Sequence, residues 1–261
     1  MVKRFIKDVK KYYRYIFVSA KAELKAEVAN SYLNWLWWIL EPFCMMLIYT
    51  FIFGYVFNAR EDYFPAFIFL GLAMWNFFSH TLTNSVKIVK NNKAVVSKVY
   101  IPKYVLILKK MCVNGFKMAL SMLIVAGLMI VYRVPLSWNI LYVIPLMLIQ
   151  ILFVFGFCTF FLHFGVFVED LSNVVNIGLR LGLYLTGIMY SIESRVKGMA
   201  GYLLARLNPM AFFISSMRNA VLYGGTPSWK WMLAWTLFSL ILIYIGVRLI
   251  YKNENSYVKV I

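Results

Sequence analysis

Acidic side chains are scarce in this chain. Ten Asp and Glu stand against 27 Lys and Arg, giving a formal net charge of +17 over 261 residues. So few carboxylates leave little material for acid–base catalysis. Glu169-Asp170 comes nearest to a shared site, yet neighbouring residues on a helix point apart. Cysteine is limited to Cys44, Cys112 and Cys158, all inside apolar stretches. They read as small buried hydrophobes, which excludes a disulfide framework or a thiolate metal centre. The two histidines, His80 and His163, have no ligand-spaced companions. There is no G-x-x-x-x-G-K-[ST] phosphate loop, no Ser/His/Asp arrangement and no internal repeat. The start, MVKRFIKDVKKYYRY, has no continuous apolar core with a small-residue cleavage site, so no signal peptide is expected.

What is abundant is apolar surface. The chain is 62% hydrophobic and 14% charged, with a mean hydropathy of +0.74, values that indicate a polytopic, all-α integral membrane protein. A large positive charge can mark a nucleic-acid binder. Here the basic residues gather at membrane boundaries, which favours anionic lipid headgroups or an anionic lipid-linked substrate and speaks against nucleic acid.

The organising stretch is Lys87 to Lys110, KIVKNNKAVVSKVYIPKYVLILKK, with seven lysines and no acid between two apolar segments. The positive-inside rule holds such a loop in the cytoplasm. Ala94, Val95, Val96, Val99, Tyr100 and Ile101 form an apolar strip that Pro102 breaks. One or two turns of amphipathic helix fit here, either lying in headgroups or docked on a soluble partner. Composition alone favours the headgroups.

Six spans are expected, over residues 33–57, 64–86, 111–132, 140–168, 171–190 and 229–250, each near the ~20 residues a bilayer requires. Ahead of them, Phe5, Val9, Tyr12, Tyr13, Ile16, Phe17, Ala20 and Leu24 recur at helical spacing among lysines, predicting an amphipathic interface helix over 1–30. Trp35, Trp37 and Trp38 mark the inner end of the first span, where Pro42 should kink the helix. The second span grows polar through Asn76, Ser79, His80, Thr81, Thr83 and Asn84, as a helix does that is covered by protein or lines a hydrated path. Lys117, about two turns into the third span, is expected to snorkel. Arg180, near the middle of the fifth, should face protein or water, because insertion at mid-membrane costs at least ~2.5 kcal/mol.

Residues 191–228 are long enough to cross but carry Arg206, Asn208, Pro209, Arg218 and Asn219. A crossing there would put the basic tail, with Arg248 and Lys252, outside. Two short helices that dip in and return, broken at Asn208-Pro209, keep both termini inside; irregular backbone at that depth must be shielded by protein or face water. The short outer loops at Arg60 and Arg133 carry few charges, as that topology requires.

The ordered set LNWLWWILEPFCMMLIYTFIFGYVF, FPAFIFLGLAMWNFF, NNKAVVSKVYIPKYVL, FVEDLSNVV and LNPMAFFISSMRNAVLYGG resembles the membrane subunit of type-2 ABC exporters of the polysaccharide class, over nearly the whole chain. Such permeases export O-antigen, capsular polysaccharide or wall teichoic acid. The resemblance implies a single transmembrane domain over 1–261, no catalytic residue or metal, and no cofactor on this chain. ATP and Mg would reside on two copies of a separate ABC ATP-binding subunit, and a second copy of the permease would complete a conduit in the bacterial cytoplasmic membrane.

It also implies that 87–104 is a coupling loop docked on the ATPase through Asn91, Asn92, Val95, Val96, Lys98, Val99, Tyr100 and Pro102, which reverses the preference for headgroups. The segment after the fifth span then matches re-entrant outer helices, with Asn208, Pro209 and Arg218 at an outer gate. Tyr32, Trp35, Trp37 and Trp38 are candidates for the inner entrance of a polyprenyl-pyrophosphate-linked glycan, and Arg180, Tyr184 and Tyr190 for its path, since rings stack on sugar faces. Each tryptophan taken singly also fits a plain interfacial anchor. The family often has Arg-Asp-Leu after the fourth span, where this chain has Glu169-Asp170-Leu171. It often has Ser-Pro-Ile near the end of the fifth, where this chain has Thr186-Gly187-Ile188; that change would alter the outer gate or leave more room. The alternatives are a permease of the same fold for a small lipid or drug, and an ATP-independent channel or integral membrane transferase.

Overall fold

The computed structural model describes residues 1–29, 32–59, 61–196 and 198–260. The charge of Arg60, counted above, lies outside them. Every regular element among the described residues is helical. Helix α1 (Val2–Val28) is followed by a 3-10 turn at Asn34–Leu36 and by α2 (Trp37–Tyr49), which widens into a π-helical stretch over Thr50–Val56. Next come α3 (Phe64–Val86), two single turns α4 (Ile88–Asn91) and α5 (Lys93–Val96), and α6 (Lys103–Val131). A 3-10 segment, Trp138–Tyr142, leads into α7 (Val143–Phe167), then α8 (Leu171–Leu185), α9 (Ile192–Arg195), α10 (Met199–Leu207) and α11 (Pro209–Val221). Helices α12 (Trp229–Lys252) and α13 (Glu254–Val260) close the chain.

Five of these are long and apolar enough to cross a bilayer: Trp37–Val56, Phe64–Val86, Lys103–Val131, Trp138–Phe167 and Trp229–Lys252. They are not equivalent. The apolar window of α3 is 78% buried inside the chain, against 6% for Trp37–Val56, so α3 is the axis of the bundle and α2 hangs on its side. Helices α7 and α12 run against each other where two glycines remove the side chain. A Cβ at Gly156 would meet Leu242 at 2.9 Å, and one at Gly246 would overlap Thr159. Close approach through small residues replaces the hydrophobic effect as the driver of helix packing in lipid.

Helix α6 begins at Lys103, ahead of the expected residue 111. Pro102, extended at ψ 128°, is its N-cap. Lys109 and Lys110, expected to anchor the base of the third span, both pair with Glu23 on α1. Lys117 pairs with Glu27 at 2.6 Å and lies 5.9 Å from the Trp38 ring. It is held by an acid from α1, in place of the solvent-seeking posture expected of a snorkelling lysine. Helix α1 thus lies along α6. Phe5 packs on Tyr104 and Phe155, and Ile16 and Ala20 are buried, but Tyr13 and Phe17 of the expected stripe face away from the bundle. Of the three cysteines only Cys158 is buried; Cys112 is half-buried and Cys44 is exposed on α2.

Helix α8, with 15 residues, measures about 22 Å. It stops near mid-bundle, where Gly182 lies against Trp75 of α3. The chain then turns at Gly187 (φ 68°) and continues without helix to Ser191. A Cβ at Gly187 would come within 2.6 Å of Ile192. The glycine therefore makes a packed turn and opens no extra room, and proline, locked near φ −65°, could not adopt this backbone.

Candidate functional site

The bundle has two chemically different ends. At one, the basic end, α4 and α5 form the loop between α3 and α6. Val95, Val99 and Tyr100 expose 38%, 55% and 52% of their surfaces, and Asn91 and Lys98 are also exposed. Val96 and Pro102 are buried, and Asn92 donates back to the Ile88 carbonyl at 2.7 Å. The eight residues expected to dock a partner therefore divide. Val95, Val99, Lys98 and Asn91 present themselves, Val96, Pro102 and Asn92 hold the loop together, and Tyr100 exposes half its surface while its hydroxyl is tied to Arg4 and Glu254. Sequence spacing could not separate them, because two one-turn helices joined at Asn92 do not keep a single helical phase.

The loop is tied at both ends. Lys90 donates to Glu169 at 2.6 Å, linking α4 to the turn between α7 and α8 and holding the Glu169 carboxyl below its usual range. At the other end the Tyr100 hydroxyl accepts from Arg4 at 2.8 Å and donates to Glu254, and Tyr12 donates to the Tyr100 carbonyl at 2.9 Å. Burial, and then the bond to Glu254, push the Tyr100 hydroxyl up to about 12, so it remains a donor at neutral pH. Asp8 accepts from Tyr104 at 3.0 Å and from Tyr251 at 2.8 Å.

Next to this end, a cavity of about 520 Å³ opens between α2, α3, α6 and α8. Glu27, Glu41, Lys110 and Lys117 line it with His80, Asn76, Asn84, Asn114, Trp38 and Tyr49. The polar run on α3 does face a cavity with room for water. Trp38 packs edge-on against Phe116 at 5.8 Å, while Tyr32, Trp35 and Trp37 are exposed beyond it. A second cavity, about 550 Å³, is apolar and lies between α8 and the α7–α12 pair; Trp75, Phe153, Phe157 and Trp235 line it.

On α8, Arg180 is exposed, and Val174, Ile177, Leu181 and Tyr184 expose about as much. It does not face protein within this chain. Tyr190 is half-buried and donates its hydroxyl to the Tyr184 carbonyl at 2.9 Å.

In the half of the bundle opposite the basic end, Asn208 caps α11, accepting from the Met210 and Ala211 amides at 3.1 and 3.3 Å, with Pro209 in the first turn. This is how Asn-Pro starts a helix: the amide oxygen satisfies orphan donors and proline lacks one. The Asn208 amide also donates to Thr186 at 3.4 Å. Helix α11 runs back toward the far end, where Tyr223 donates to the Asp62 carbonyl and Gly224 accepts from Asn139 at 2.6 Å.

Arg218 is 4% exposed and donates to three carbonyls: Phe67 at 3.1 Å, Gly187 at 2.8 Å and Ile188 at 2.7 Å. Its guanidinium lies 3.3 Å from the centre of the Phe67 ring. The cation thus satisfies carbonyls just beyond α8 that the helix leaves unpaired, and pins them to the first turn of α3. Arg218 is a strut that joins α11 to α3 and to the non-helical segment after α8. Arg4, Asp8, Glu23, Glu27 and Glu254 were not singled out by the sequence reasoning. The signal available was that acids on so basic a chain are rare, and that Glu23 and Glu27 stand four apart on one helix.

Among the described residues the chain is an all-helical bundle with five helices long and apolar enough to cross a bilayer, the architecture of a polytopic membrane protein. The chain belongs to the family described as ABC-2 type transporter, whose model matches residues 14–222. It is 25% identical over 247 residues to an O-antigen export system permease protein, RfbA, of Klebsiella pneumoniae, covering 94% of each chain. To a protein of the same description from Myxococcus xanthus it is 24% identical over 256 residues, covering 97% of this chain and 98% of the relative. To the polysialic acid transport protein KpsM of Escherichia coli it is 25% identical over 254 residues, covering 90% and 91%.

Proposed function

We propose that this chain is the permease of a polysaccharide exporter, carrying a polymer bound to polyprenyl pyrophosphate across the bacterial cytoplasmic membrane. The observation that carries this reading is end-to-end similarity to permeases named for O-antigen export and polysialic acid transport, with no long unmatched segment on either side. Transport is powered by two copies of a separate ATP-binding subunit, which holds ATP and Mg. The basic end faces the cytoplasm with both termini, and the loop from Asn91 to Pro102 docks on the ATPase through Val95 and Val99.

The count of crossings is six, with α8 and residues 186–190 together completing the fifth. In support, Gly187 leads from the end of α8 toward α9, where Ser194 bonds Glu61 of the loop preceding α3. Helices α10 and α11 enter from the outer side and turn back at Asn208-Pro209. The exposed face of α8 with Arg180 and Tyr184 lines the conduit formed with a second copy. Arg180, exposed and unpaired among the described residues, meets phosphate on the substrate or an acid of the other copy. Tyr32, Trp35 and Trp37 stand at the inner entrance, where their exposed rings suit sugar faces.

The test is purification of tagged protein from native membranes in mild detergent. A stoichiometric subunit with a phosphate loop copurifies and is lost from the variant carrying Val95→Asp and Val99→Asp, with Val96 left intact because it is core. A chain purified without any ATPase refutes the exporter reading. Arg180→Leu abolishes export of the polymer; unchanged export would remove Arg180 from the path.

A further inference from the structure

We propose that Glu254 is a positioning residue for energy coupling: with Arg4 and Tyr100 it forms a latch that fixes the end of the basic loop to the last transmembrane helix. The inference rests on the reading of that loop as the ATPase contact. Three segments distant in sequence meet here. Arg4 is in the first turns of α1, Tyr100 ends the loop, and Glu254 opens α13 directly after α12.

The three side chains close a ring. Arg4 donates to the Tyr100 hydroxyl at 2.8 Å and to Glu254 at 3.2 Å, and the Tyr100 hydroxyl completes it on the other oxygen of Glu254. Glu254 is shielded, with 14% of its side chain exposed, whereas Arg4 is 52% exposed. The carboxylate is therefore the enclosed member on which the other two converge. Between the loop and the start of α13 a small cavity of about 200 Å³ remains, lined by Val96, Val99, Tyr100 and Glu254. The latch joins the two elements across this gap.

That arrangement decides where a push on the loop goes. Val95 and Val99 are exposed, but the chain from Tyr100 onward is bound to Arg4 and Glu254. Displacement of the loop is handed to α12 at its basic end, and α12 lies along α7 through the Gly156 and Gly246 contacts. The Lys90–Glu169 pair supplies the second attachment, to the α7–α8 turn. Hydrogen bonds to charged groups are directional and stiff over short distances, so they transmit small shifts that a water-filled gap would absorb. Without the latch, the loop can move under the ATPase while α12 stays behind.

The experiment uses the whole transporter, permease with its ATPase, reconstituted in vesicles, and reads polymer exported per ATP hydrolysed. Glu254→Gln keeps the side-chain shape and loses the charge; Tyr100→Phe keeps the ring and loses the hydroxyl. Each lowers the ratio by about tenfold, the size expected when one hydrogen bond to a charged group is lost from one of two loop positions. The double variant is no worse than either single one, because both remove the same link. Exchanging the charges, Arg4→Glu with Glu254→Arg, restores part of the ratio, which a general loss of stability would not allow. An unchanged ratio in both single variants overturns the latch, as does full additivity in the double variant. The underlying loop reading fails separately: it falls if Val95→Asp with Val99→Asp still copurifies the ATPase. Loss of the ATPase there with an unchanged ratio in Glu254→Gln sinks the latch alone.

Discussion

The two ends of the bundle hold their enclosed charges in different ways, although the exposed Arg206–Glu193 pair at the far end is of the basic end's kind. At the far end a single cation, Arg218, is enclosed and spends its donors on backbone carbonyls of two other segments. At the basic end, charges meet charges across segments, as in Arg4–Glu254, Lys90–Glu169, Lys109 and Lys110 with Glu23, and Lys117–Glu27, and most are partly exposed. Carbonyls cannot be exchanged or titrated, so the Arg218 contacts fix one geometry. Side-chain pairs near water are individually weak and reform after small displacements, the latch on the enclosed Glu254 excepted. The far end is built as a fixed frame, and the basic end as a set of joints.

The largest effect that would break this contrast comes from Arg218. Replacing it with Leu leaves the Gly187 and Ile188 carbonyls without the Arg218 donors, each costing about 1–3 kcal/mol, and removes the cation from the Phe67 ring. We expect Arg218→Leu to lose at least about 3 kcal/mol and to reduce folded protein in the membrane severely. Lys, with a point charge in place of the planar fork, restores only part. Melting temperatures in detergent check this, and a wild-type melting curve for Arg218→Leu would refute the strut.

Gly187 tests the same frame more gently. Alanine there must adopt φ 68° and crowd Ile192. A loss of about 1–3 kcal/mol is expected from backbone strain of this kind, and Gly187→Pro should be worse. A tolerated Gly187→Pro would mean that the turn is free to rearrange, bringing the far end closer in character to the basic end.

The sequence disclosed the helical architecture and the basic loop because both rest on local signals, apolar runs and uninterrupted lysines. What it concealed depends on pairs distant in the chain. Lys109 and Lys110 read as simple anchors in the sequence, and only the fold brings Glu23 onto both. Val96 belongs to the same apolar strip as Val95 and Val99, and only the fold decides that it points inward. Arg218 is conspicuous as a charge in an apolar stretch, but its partners are carbonyls, which no residue identity reveals. The break at Asn208-Pro209 was legible because its mechanism is local, an amide cap followed by a residue without an N–H.

At the basic end, Lys117 offers a smaller test. Lys117 and Glu27 expose 32% and 33% of their side chains, so the pair is screened. Removing either partner should cost about 1 kcal/mol or less. A double-mutant cycle with Lys117→Met and Glu27→Gln measures the coupling directly. A coupling several times larger would make this joint as rigid as the Arg218 frame.

The smallest expected effect concerns pH. Burial by itself raises the Glu23 carboxyl, but hydrogen bonds from Lys110 and Lys109 outweigh it and hold the group below its usual range. A carboxyl lowered in the folded state contributes stability that is complete above its unfolded value of about 4.3 and disappears as pH falls through the folded value. Thermal melting of the purified protein should therefore be insensitive to Glu23 near neutrality only in its slope: Glu23→Gln lowers the melting temperature there by a constant amount, and the difference from wild type closes as the medium is acidified below about pH 4. With 21% of its side chain exposed, Glu23 is screened enough that the difference is small. A gap between the two proteins that persists in acid would assign the loss to packing of α1 on α6, and the ion pairs would then be incidental to how that joint is held.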